Sequence, residues 1–107
     1  MHILNKRVVR QSKSYLVADA FERLLQTGRR LLQEVASGAT ENWYFNDVRE
    51  LLEKVPLTTD DYAVANRRLR NAIYYATIGE TGAARYELAT VVRKLSTLWK
   101  AIELRSD

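Results

Sequence analysis

Ten consecutive residues, Asn66 to Tyr75, read Asn-Arg-Arg-Leu-Arg-Asn-Ala-Ile-Tyr-Tyr and hold the most concentrated side-chain chemistry in this 107-residue chain. A guanidinium is a planar fork of donors that engages two phosphate oxygens at once, and tyrosine adds a stacking ring and a hydroxyl donor. On a helical wheel of about 100° per residue centred on Leu69, the positions Tyr62, Ala65, Ala72, Ile73 and Ala76 fall within about 60° of the centre. Arg67, Asn71 and Tyr74 fall opposite, at about 160°, −160° and 140°, with Arg68 and Arg70 on the two flanks. Leu69 and Ile73 therefore anchor such a helix, while Arg67, Arg70, Asn71 and Tyr74 are the candidate contacts to a phosphate backbone. A surface of this kind grips backbone and has no means of reading base sequence.

Two further groups extend the candidate surface. Near the C-terminus, Tyr86, Thr90, Arg93, Thr97 and Lys100 oppose an apolar stripe, which makes Arg93 and Lys100 the next contacts. If the two helices form a hairpin whose outer faces share a side, they present one strip of guanidinium, ammonium, hydroxyl and phenol groups. Arg7, Arg10 and Lys13 form a secondary basic cluster at the N-terminus. Arginine and tyrosine are equally the residues of protein–protein hot spots, so the same surface also suits a protein partner.

Enzyme chemistry finds less support. His2 is the only histidine, there is no cysteine, and no phosphate-binding glycine loop, serine elbow or metal-ligand cluster occurs. Asp60 and Asp61 suit a helix N-terminus, where the backbone presents partial positive charge, better than a catalytic carboxylate pair. An all-helical mutase built on Arg and Glu would line the bundle interior with charge, whereas the stripes here are apolar. No catalytic residue, cofactor or metal is expected. Nothing at the N-terminus has the apolar run of an export signal, and no long uncharged apolar stretch would span a membrane, so the expectation is a soluble cytoplasmic protein.

Charge is segregated along the chain. The net charge is +4, but residues 1 to 30 hold seven cations against two carboxylates, residues 31 to 61 two against seven, and residues 62 to 107 eight against four. Two basic segments thus flank an acidic one, a pattern that sets a basic face against an acidic one in a single small domain.

The elements that would position these groups are four helices, at about 14–36, 41–55, 59–78 and 82–104. One glycine pair aside, the chain has little turn chemistry: a single proline and four glycines in all. Val17, Ala20, Phe21, Leu24, Leu25, Gly28, Leu31, Leu32 and Val35 recur at spacings of three and four, and Ser37-Gly38 ends the first helix. Thr40 is a plausible cap for the second, whose stripe is Tyr44, Val48, Leu51, Leu52 and Val55 and whose stop is Pro56. Thr58-Thr59-Asp60-Asp61 resembles a capping box, with Leu57 and Tyr62 as a staple across it. Gly79 closes the third helix, and Ala84, Leu88, Val91, Leu95, Leu98 and Ile102 form a heptad seam on the fourth. A short connection between long helices favours an antiparallel hairpin. Residues 1–12 fit a basic arm, a short strand or an extension of the first helix. The fold expected is an all-α, compact four-helix bundle.

Taken whole, the chain resembles the small-subunit family of CRISPR effector complexes in its size, its four helices, and its Arg67-Arg68-Leu69-Arg70 stretch followed by Tyr74-Tyr75. The resemblance implies a basic, non-catalytic subunit that stacks in several copies along an RNA-guided complex and supports the guide, target or displaced strand. It also implies that the acidic second helix packs against a basic surface of the next copy or of another subunit. The competing class is a helical adaptor or self-associating module whose contacts are all with protein.

Overall fold

Helix boundaries fall where the chain supplies glycine or proline. The computed structural model describes residues 2–38 and 42–105, with side chains at 16–38 and 45–105. Four helices follow in order: α1 (His2–Ala36), α2 (Asn42–Lys54), α3 (Thr59–Thr77) and α4 (Thr81–Arg105). No strand occurs among the described residues, so the fold is all-α as the periodicity predicts. Of the three readings of residues 1–12, the helix extension is the one that residues 2–12 realise. No glycine or proline precedes Gly28, and nothing in that stretch would stop the helix.

The caps are local and sequence-driven. Gly38 takes φ +87°, and its N–H donates to the Val35 carbonyl at 3.1 Å, closing α1. Thr40 lies outside the described residues. Thr58, extended at φ −64° and ψ 159°, accepts a hydrogen bond from the Asp61 N–H at 3.1 Å and starts α3. At the other end Gly79 has φ +79°, its N–H bonds the Ala76 carbonyl at 3.2 Å, and the Glu80 N–H reaches back to Tyr75 at 2.8 Å. That pair of bonds is a Schellman closure, which needs the left-handed residue that glycine supplies at least cost. The Glu80 carbonyl then accepts from the Ala84 N–H at 3.0 Å as α4 begins.

Each helix packs on its neighbour in sequence, and α1 closes the ring against α4. The core is wholly apolar among the described residues: Phe21, Leu24, Leu31, Phe45, Leu52, Leu69 and Leu88 are all at most 2% exposed. On α2 the buried aromatic is Phe45, which pairs with Val48, Leu52 and Val55. Val48, Leu52 and Val55 are buried and Leu51 partly buried, as the expected stripe has them, and the Tyr44 side chain lies outside the described residues. Gly28 matters for α1 because a Cβ there would stand 3.0 Å from Val92 Cγ2, so the glycine lets α4 approach closely. One helical turn pair away, Phe21 and Trp99 stack with ring centroids 5.0 Å apart and planes inclined by 18°.

Those two contacts fix an antiparallel register in which Arg105, the last residue of α4, comes level with about residue 15 of α1. The first four turns of α1 therefore run on beyond α4. The molecule measures 58 × 23 × 18 Å, its long dimension following α1, which at about 1.5 Å per residue is itself about 52 Å long.

Candidate nucleic-acid interface

The α3 face is built from the core outward. Leu69 and Ala72 are fully buried and Ala65 and Ala76 nearly so, which fixes the helix against its neighbours. With those positions inside, Arg67, Arg70 and Asn71 are exposed, and Tyr74 is 61% exposed. Tyr75 turns the other way and packs partly buried against the core, meeting the Tyr74 ring edge-on at 5.7 Å between centroids. Neither Arg67 nor Arg70 forms an ion pair with any described residue. Two guanidinium forks are thus held on a rigid helix with their donors directed to solvent.

Arg68, between them in sequence, has a different role. Its Nη1 donates to Glu87 Oε2 of α4 at 3.0 Å, and both side chains are largely shielded, at 31% and 12% exposed. A second pair, Lys94 Nζ with Asp61 Oδ1 at 3.9 Å, lies along the same seam. Asp61 therefore gives its backbone N–H to Thr58 and its carboxylate to Lys94, which leaves the capping box one-sided. The two pairs hold α3 to α4 and interrupt the single strip expected across the hairpin. Thr90 and Thr97, also expected on that strip, donate their hydroxyls to the carbonyls of Tyr86 and Arg93 at 2.8 and 3.0 Å.

Arg93 and Lys100 stand further round α4. The flank of α4 carrying Glu87 and Lys94 meets α3, and the flank carrying Val92 and Trp99 meets α1. Arg93 is exposed on the ridge between those flanks, about 100° from Val92 and from Lys94. Lys100 lines a groove between α1 and α4 of about 760 Å³, together with Glu22, Leu25, Gln26, Arg29, Arg30, Gln33, Ser96, Trp99 and Glu103. It is therefore grouped with α1 and not with the arginines of α3. The side chains of Arg7, Arg10 and Lys13 lie outside the described residues.

No protein family, characterised protein or solved structure matches this chain. Its functional reading accordingly stands on side-chain chemistry and placement. Among the described residues there is no buried polar or charged side chain, no group of three or more metal-ligating side chains, and no helix long and apolar enough to cross a membrane. Sequence reasoning did not single out Trp99 or Arg29. A signal for Trp99 was present, since it follows Val92 by seven residues on one edge of the α4 seam, but its partner on α1 is set by interhelical register.

Proposed function

We propose that this protein is a non-catalytic subunit of a nucleoprotein assembly and holds nucleic-acid backbone on the outer face of α3. The supporting observation is the arrangement of Arg67 and Arg70: both exposed, both without an ion pair among the described residues, and both anchored by the buried Leu69 and Ala72. Arg67, Arg70, Asn71 and Tyr74 make the primary contacts, and Arg93 extends them across the α4 ridge. Lys100 contacts from the α1 side, and Arg7, Arg10 and Lys13 contribute along the N-terminal part of α1. The resemblance to CRISPR small subunits gives this role a setting, in which further copies or other subunits pack on the acidic residues of α2 and no cofactor is used.

Anisotropy of a labelled oligonucleotide at low salt tests the reading. The Arg67→Glu/Arg70→Glu double variant should bind at least tenfold more weakly while keeping the helical circular dichroism of the parent. Equal affinity would move the site elsewhere. One observation favours the adaptor as the second reading: Tyr74, Ile78 and Tyr86 are 61%, 52% and 67% exposed near the α3–α4 turn, and apolar surface left open suits a protein partner. Absence of binding to any nucleic acid, alone or in its native assembly, would leave that reading in place.

A further inference from the structure

The groove between α1 and α4 combines two kinds of group that the α3 face does not. Trp99 is partly buried, stacked on Phe21, and is one of the residues that line the groove. Arg29 and Lys100 stand on opposite walls, one on each helix, and neither forms an ion pair with a described residue. Gln26 and Ser96 add neutral hydrogen-bonding groups beside them. Resting on the backbone-binding function proposed above, we infer that this groove takes a short single-stranded segment of the nucleic acid, one base stacking on Trp99 while Arg29 and Lys100 hold the flanking phosphates.

The selection for single strands follows from the indole. Every base has a face that stacks on an aromatic ring, so the contact tolerates any sequence, but a paired base already spends both faces on its neighbours in the duplex. Cations on both walls confine the backbone, and the antiparallel register of α1 and α4 sets Arg29 and Lys100 about 13 Å apart along the groove, which suits phosphates about two nucleotides apart. From Glu22 to Gln33 the groove follows about 16 Å of α1, room for a few nucleotides. Its Glu22 and Glu103 end opens towards the part of α1 that outruns α4, a segment with Lys6, Arg7, Arg10 and Lys13 in sequence and no carboxylate. The carboxylates at the mouth disfavour phosphate at that point and set where the chain of contacts breaks.

Tryptophan emission tests the assignment directly. The chain has two tryptophans, so a Trp43→Phe background leaves Trp99 as the reporter. Titrated with a 15-nucleotide oligothymidine, its emission should be quenched at least twofold, whereas a 15-base-pair duplex should bind with little quenching. Arg29→Glu/Lys100→Glu should abolish the quenching and weaken single-strand binding about tenfold. Arg67→Glu/Arg70→Glu should weaken binding yet reach the same quenching at saturation. Single-strand binding without quenching, or equal quenching by duplex, overturns the groove assignment and leaves the α3 face intact. Failure to bind either probe overturns both. If the Trp43→Phe chain does not fold, the quenching difference between the unaltered protein and its Arg29→Glu/Lys100→Glu variant decides the same question.

Discussion

Arg67 and Arg68 are adjacent in sequence and opposite in use. One step along a helix is about 100°, enough to carry the first to solvent and the second to Glu87 across the α3–α4 seam. The outward set was legible beforehand because a helical wheel needs only the local period and the position of Leu69. The Arg68–Glu87 and Asp61–Lys94 pairs were not, because they depend on which turn of α4 comes level with which turn of α3. The same limit explains Lys100, whose place on the wheel was correct but whose neighbours come from α1. On α2 the periodicity marks Val48, Leu52 and Val55 but not Phe45, whose burial is decided by packing against the rest of the bundle. Caps are the most local feature and the most legible. Thr58→Ala removes the acceptor for the Asp61 N–H and should cost about 1 kcal/mol, lowering the thermal midpoint by about 4–8 °C. A midpoint unchanged within error would mean that water replaces the cap without loss.

At the scale of elements, glycine acts in two ways here. Gly38 and Gly79 supply positive φ where helices end, which the sequence announces by placing each just past an apolar stripe. Gly28 lies inside α1 with ordinary helical geometry, and its role is room for Val92. Nothing local marks that role, since a glycine in a stripe reads only as a small core residue. Gly28→Leu should therefore force α1 and α4 apart and destabilise the bundle by about 1–3 kcal/mol, measured by urea unfolding. Gly82, with nothing within 4 Å of a Cβ, should accept alanine without loss. Equal effects at the two sites would refute the close-approach account. The extension of α1 illustrates the converse case: three readings of residues 1–12 were open because a basic, weakly periodic stretch fits each, and the absence of any breaker before Gly28 accounts for the helix.

For the whole molecule, the segregation of charge gains a spatial meaning from the order of helices. The acidic segment contains α2, where Asp47, Glu50 and Glu53 are all exposed, while the exposed cations of α3 and α4 belong to the opposite hairpin. The α3 face and the α1–α4 groove lie on either side of the α4 ridge, and Arg93 stands between them. Phosphate contacts of this kind release counterions, so affinity should fall with salt in proportion to the number made, by about 0.7 in log affinity per tenfold change in salt for each contact on a single strand. The decisive measurement is that slope for the parent chain and for Arg67→Ala/Arg70→Ala. If the two guanidiniums neutralise phosphates, the variant's slope should be shallower by about 1.4 on a single-stranded oligonucleotide. Identical slopes, or no binding by the parent chain at low salt, would contradict the assignment of this face to nucleic acid.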